Sequence, residues 1–229
     1  MPSVADFSRS TALLGEEPFN RLAQVRVAVV GVGGVGSWCA EALLRTGVRH
    51  LTLMDDDVVA PSNVNRQCPA TSRTLGRPKV EVMRERLLEI NPEADVVAIN
   101  ERYEQGLPCG GAVDVIVDAI DSVGCKAELI LSATAAGIPI FSSMGAALRF
   151  DPTQVTVRRF DKIAGDGLAR ALRQRFRKLG RFPAARFTCV TTRELPVRRP
   201  DLTTKGSLMP VTATFGMALA AEVIRLCAK

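Results

Sequence analysis

Histidine is nearly absent from this chain. His50 is the only one, and it precedes a strand-like run, where an exposed or half-buried imidazole is expected rather than a catalytic one. Six cysteines (39, 68, 109, 125, 189 and 227) are scattered without a C-x-x-C pair. That spacing argues against a structural zinc and against a disulfide framework, so no zinc is expected. Buried free thiols are the ordinary reading of each; Cys68 and Cys189 are the two candidates for a covalent role. Aromatic residues are scarce at 5% while Ala, Val and Leu are plentiful, which suits an α/β protein. No run reaches the roughly 20 apolar residues of a membrane span. The longest candidate, residues 211–226, carries Glu222 and Arg225 and reads as a core helix. The N-terminus has no basic–apolar–small signal pattern, and a cytosolic location is expected. Repeats and low-complexity linkers are absent too.

What is present is concentrated in the first half. Residues 31–36 read Gly-Val-Gly-Gly-Val-Gly, directly after the apolar run 25–30. Gly31, Gly33, Gly34 and Gly36 lack a Cβ, so the backbone can turn sharply and approach a phosphate. The helix they open would point unpaired N–H groups at that anion. From the glycines alone, a dinucleotide site and an ATP site are equally good readings. The residues that follow separate them. Asp55, at the end of the next strand-like run, suits the two ribose hydroxyls. Arg66 and Lys79 are cations able to stabilise charge building on a phosphorus under attack. The segment Asn63-x-x-Arg66-Gln67 has no use in a dinucleotide fold at that place. The order describes a site that holds ATP and attacks its α-phosphate.

Strand-like runs fall at 25–30, 48–54, 95–99, 113–118 and 138–142, with helical patterns at 35–45, 78–90 and 122–136 between them. Alternation of this kind predicts a Rossmann-like, doubly wound, mostly parallel sheet. Asp118 and Asp121 follow the fourth run and would reach the same rim as the glycine turn. After Asp151-Pro152 the composition changes without a clean boundary. Residues 154–159 alternate like a strand, 167–179 look helical with an apolar stripe, and 181–206 look loop-rich. One domain is expected over 1–229, with a nucleotide-binding part at about 21–147. A basic acceptor part and C-terminal helix, at about 150–229, would extend the same sheet.

The net charge of +6 is unevenly placed: residues 158–205 hold 14 Lys/Arg against 4 Asp/Glu. Such asymmetry is a footprint of a polyanionic partner, with nucleic acid favoured over a merely solvated face.

Together, Gly31-x-Gly33-Gly34-x-Gly36, Asp55-x-Asp57, Asn63-x-x-Arg66-Gln67, Gly76-x-Pro78-Lys79 and Asp118-x-x-Asp121 resemble the ubiquitin-activating-enzyme-like adenylating superfamily. Further words are similar to the tRNA threonylcarbamoyladenosine dehydratases within it. They are Asp118-Ala119-Ile120-Asp121-Ser122-Val123, Lys126-Ala127, Gly145, Asp151-Pro152-Thr153, Leu168-Ala169-Arg170 and Val211-Thr212-Ala213-Thr214-Phe215-Gly216. The resemblance implies ATP and Mg²⁺ as cofactors. Asp55 would take the ribose, with Asp57 in the same nucleotide-binding motif. Asn63, Arg66 and Lys79 would take the phosphates, and Asp121 the Mg²⁺. Arg9 would reach the partner subunit's site in a homodimer. The implied reaction activates the threonyl carboxylate of a modified adenosine beside the tRNA anticodon as an adenylate, releasing pyrophosphate. Intramolecular capture then releases AMP, and no protein nucleophile is needed. Adenylation of a ubiquitin-like sulfur-carrier protein is the alternative, and a sulfur-relay protein is a further candidate partner. A non-catalytic scaffold and an NAD oxidoreductase are weaker readings.

Overall fold

A computed structural model describes residues 5–197 and 204–228. Its centre is a seven-stranded sheet of β1 (Arg26–Val30), β2 (His50–Met54), β3 (Asp95–Ile99), β4 (Val115–Asp118), β5 (Ile140–Ser143), β6 (Val155–Arg159) and β7 (Thr188–Thr192). The strand order is β3-β2-β1-β4-β5-β7-β6, all parallel except β6 against β7. Buried on both faces, β4 and β5 are apolar throughout apart from their C-terminal residues, as a central parallel strand requires.

Helices α3 (Gly36–Thr46), α4 (Lys79–Ile90), α5 (Val123–Ala135) and α6 (Gly167–Leu179) complete the crossovers, and α7 (Met209–Cys227) closes the chain. Two hydrophobic clusters result, one on each sheet face. Leu43, Leu44, Leu53, Phe215 and Leu219 lie in the first; Ile116, Leu129, Ile130, Leu172 and Phe176 lie in the second. The helix α7 is long and apolar enough to cross a membrane by composition alone. Here one face of it is buried against α3. Gly216 permits the approach, since a Cβ there would lie 2.5 Å from the Val35 carbonyl oxygen. Val211, Phe215, Leu219 and Val223 fill that interface at zero exposure.

Two parts of the expected organisation change. The segment 181–206 is not all loop. Thr188–Thr192 forms β7, an interior strand between β5 and β6. Flanking prolines and arginines hide this strand, whose Thr-Cys-Val-Thr-Thr run is short and only half apolar. The part before β1 folds into α1 (Ser8–Leu14) and α2 (Glu16–Gln24), joined at Gly15. Phe19 and Leu22 of α2 are buried, so α2 is anchored to the domain, while no residue of α1 is.

Candidate active site

Strands β1, β2 and β4 end level with one another, with Val30 beside both Met54 and Asp118. The chain order reverses between β1 and β4, which is where ligands enter open α/β sheets. The glycine turn sits in that crevice. The Gly31 N–H donates to the Met54 carbonyl at 2.8 Å, and the Ala119 N–H donates to the Val30 carbonyl at 2.8 Å. Gly31 has φ +91°, and a Cβ on it would lie 2.7 Å from the Ala119 carbonyl. A Cβ on Gly36 would sit 1.9 Å from the Gly31 carbonyl oxygen, which no adjustment of side chains could relieve. Both positions therefore demand glycine, and the turn delivers the N-terminus of α3 to the crevice.

Asp55 follows β2. Its carboxylate accepts the Val32 N–H at 2.6 Å and the Asp57 N–H at 2.9 Å, tying the glycine turn to the end of β2. Burial raises the Asp55 carboxyl above its ordinary pKa, against the opposing pull of Lys79 and those N–H groups. Lys79 opens α4, is buried, and donates to Asp57 at 2.5 Å. Carboxylate oxygens of Asp55, Asp56 and Asp57 lie within 4.8 Å of one another. This trio is a poor metal site, because Asp55 is committed to backbone N–H groups and Asp57 to Lys79. Asn63 is buried and accepts the Ala60 N–H. Arg66 donates to the Ser62 carbonyl and to Asn65 Oδ1, both at 2.9 Å, and its stem lies across Gly34. Asp121 is exposed at the head of the β4–α5 connection, and among the described residues its carboxylate has no hydrogen-bond or ion-pair partner. A free, accessible carboxylate of this kind fits Mg²⁺, which takes one or two carboxylates and completes its shell with phosphate and water.

One cavity of about 880 Å³ joins these groups. Gly31, Gly33, Gly34, Asp55, Asp57, Asn63, Arg66, Lys79 and Asp121 all line it. Gly36 does not; it supports the turn from beneath. Arg9 lies exposed on α1 and does not line the cavity of its own chain. The expectation for Asp118 is corrected: it is fully buried beneath the rim. There it pairs with the fully buried Lys126 at 2.7 Å and accepts from the Ser142 hydroxyl at 2.6 Å. Neither cysteine candidate is poised as a thiolate. Burial, and then the neighbouring Glu41, push the Cys68 thiol up to about 12; burial pushes Cys189 up as well.

Several functional neighbours carried no motif. Along α3, Ser37 accepts the Cys68 N–H at 3.2 Å and the Trp38 indole donates to the Arg66 carbonyl at 2.9 Å. Glu41 accepts from the Cys68 thiol at 3.0 Å and from Arg86 at 2.6 Å. These three side chains, with Glu41 one helical turn on from Ser37 and Trp38, fix the backbone that presents Arg66. The same cavity is lined by Gly145, Arg149, Asp166, Lys205 and Ser207, and the Ser207 carbonyl accepts from Asn65 at 2.9 Å. Their sequence spacing could not foretell this, since β7 and the start of α7 must fold before they meet.

The basic half is not one uniform face. Arg173 donates to the Phe160 and Ile163 carbonyls and lies 5.0 Å from the Phe160 ring centre, so it is structural. Arg159 pairs with Asp161 and Arg181 with Glu128. Arg170, Arg177 and Lys178 remain exposed along α6. Arg198 and Arg199 lie outside the described residues.

A sequence profile of the ThiF family matches residues 7–229. The chain is 42% identical over 179 residues to the tRNA threonylcarbamoyladenosine dehydratase of Bacillus subtilis, covering 76% of this chain and 70% of the relative. It is 35% identical to the Escherichia coli protein of the same name, over 96% of this chain and 92% of that one. Among solved structures, the E. coli tRNA N6-threonylcarbamoyladenosine dehydratase in complex with AMP superposes with a TM-score of 0.89. That pairing has 36% identity and covers 96% of this chain and 93% of the other. A structure of the same E. coli enzyme in complex with ATP superposes with a TM-score of 0.88, at 36% identity and the same coverage.

Proposed function

From the chain's membership of the ThiF family, we propose that it is an ATP-dependent tRNA threonylcarbamoyladenosine dehydratase. The observation that carries this reading is the continuity of the cavity. The glycine turn, Asp55, Arg66, Lys79 and Asp121 share one space with an acceptor end at Gly145, Arg149 and Lys205. An α-phosphate held at the first end and a carboxylate entering from the second would meet inside a common, partly enclosed volume.

Asp55 would take the ribose hydroxyls, and the N-terminus of α3 the phosphates. Arg66 and Lys79 would neutralise charge as it develops on the attacked phosphorus. Asp121 would hold Mg²⁺, which when bound would offset triphosphate charge and help align it. The threonyl carboxylate attacks the α-phosphorus, and the bond to the bridging oxygen of pyrophosphate breaks. The resulting mixed anhydride turns a poor leaving group into AMP. A nucleophile within the same modified nucleoside then closes the ring, and water has formally been lost. No step calls for a thiolate, in keeping with the raised Cys68 and Cys189 thiols.

The protein would act as a homodimer with Arg9 of α1 completing the partner's phosphate site. This reading is supported by the exposure of Arg9 on α1, none of whose residues is buried, and by the absence of Arg9 from its own chain's cavity. The exposed cations of α6 would face tRNA, and the enzyme would work in the cytosol, where ATP and tRNA are found. A sulfur-relay protein is a second candidate partner. The test supplies ATP and tRNA bearing threonylcarbamoyladenosine, then follows AMP and the mass of the nucleoside. Stoichiometric AMP with loss of one water supports the reading. AMP formed only with a ubiquitin-like carrier protein would replace it with the alternative.

A further inference from the structure

We propose that Arg149 is the receptor for the carboxylate of the acceptor substrate, and this rests on the dehydratase reading. Arg149 is only 6% exposed yet lines the cavity. Its Nε is buried without a hydrogen-bond partner among the described residues. The one hydrogen bond it makes among the described residues runs from Nη1 to the neighbouring Leu148 carbonyl, at 3.3 Å. Among the described residues no carboxylate lies within ion-pair distance of it. Among the described residues, the two acids whose charges act on it are engaged elsewhere. Asp166 accepts the Ala169 and Gly145 N–H groups, and Glu194 accepts those of Phe150 and Asp151. A buried guanidinium left without an anion is costly, and a planar fork of donors is the natural mate of a carboxylate.

The backbone holds Arg149 in place. Leu148 is the one non-glycine among the described residues with positive φ, at 62°. Its N–H donates to the Gly206 carbonyl and its carbonyl accepts the Val197 N–H, each at 2.9 Å. Strain fixed by bonds on both sides is the usual mark of a residue placed for a task. Triphosphate oxygens have the glycine turn, Arg66 and Lys79, and backbone phosphates of tRNA have the exposed cations of α6. The acceptor carboxylate is the anion left over for a buried cation in the cavity.

The experiment compares tRNA bearing threonylcarbamoyladenosine with the same tRNA lacking that group, which removes the carboxylate but no phosphate. AMP formation by the wild-type enzyme on the modified tRNA first checks the dehydratase reading by itself. In Arg149→Gln, affinity for the modified tRNA should then fall on the order of tenfold or more, the worth of a charge-assisted hydrogen bond. Affinities for the bare tRNA and for ATP should stay unchanged. Equal losses on both tRNAs would mean a phosphate contact, lost ATP affinity would mean a nucleotide contact, and a retained preference would mean no contact. Each of these overturns the proposal. Should Arg149→Gln fail to fold, Arg149→Lys carries the same comparison. An unforked cation must reduce the preference for the modified tRNA without touching the bare one, and an undiminished preference overturns it.

Discussion

Replacing Glu41 by Gln tests the clamp that holds the Arg66 segment to α3. The Glu41 side chain is 8% exposed and accepts from Arg86 at 2.6 Å, from Arg45 at 2.8 Å and from the Cys68 thiol at 3.0 Å. Burial by itself would raise the Glu41 carboxyl. Hydrogen bonds from Arg86, Cys68 and Arg45 outweigh it and bring the group down from 4.5 to about 2. A carboxylate whose folded pKa is depressed stabilises the fold above its unfolded pKa and loses that contribution as pH falls through the folded value. At about 1.4 kcal/mol per pKa unit, the charged group contributes up to about 3 kcal/mol at neutral pH. By pH 3 about half of that is gone. Gln keeps the shape and one neutral acceptor, so the expected loss at pH 7 is about 2–3 kcal/mol. Urea unfolding of both proteins, at one fixed protein concentration and a series of pH values, reads the difference directly. The gap should be flat from pH 7 to about 5 and close progressively below it. A gap that persists undiminished at pH 3 would refute the assignment of the stabilisation to ionised Glu41. The same variant should lower the rate of AMP formation more than the affinity for ATP, because the loosened element carries Arg66.

Gly36→Ala should remove ATP binding measured by calorimetry, since its Cβ would sit 1.9 Å from the Gly31 carbonyl oxygen; binding at wild-type strength would show that the turn is not the phosphate site. Neutralising Arg170, Arg177 and Lys178 together should weaken tRNA binding and lower its salt slope by up to about three released counterions, with ATP affinity unaltered. An unchanged slope would leave the exposed α6 face without a role in tRNA binding. Arg9→Ala and Asp121→Ala should each be inactive alone. Mixing them with subunit exchange should restore activity, because one site per mixed dimer regains both groups. A dead mixture, with exchange verified by mass, would place both residues in the same chain's site.

The nucleotide end of this protein is written locally. The glycine turn, Asp55, Asn63, Arg66 and Lys79 fall within 49 consecutive positions, from the end of β1 through α3 and β2 to the start of α4. A parallel βαβ unit has nearly one way to fold, so sequence order becomes spatial order there. Tertiary structure decided the rest. Asp118 and Asp121 are three residues apart in the same motif. Only packing shows that Asp118 turns inward to satisfy the buried Lys126, while Asp121 stays free at the rim. The strand β7 reads as loop because its stability comes from neighbours on both sides, not from its own five residues. The acceptor side joins residues from 145 to 207 through that strand, and by charge alone Arg149 reads the same as Arg173 and Arg177. The fold gives them different surroundings. Arg173 is bonded to carbonyls, Arg177 faces water, and Arg149 is buried with no carboxylate at ion-pair distance among the described residues. Sequence fixes which charges a protein has; what each charge can bind is set by the solvent and partners that folding takes away from it.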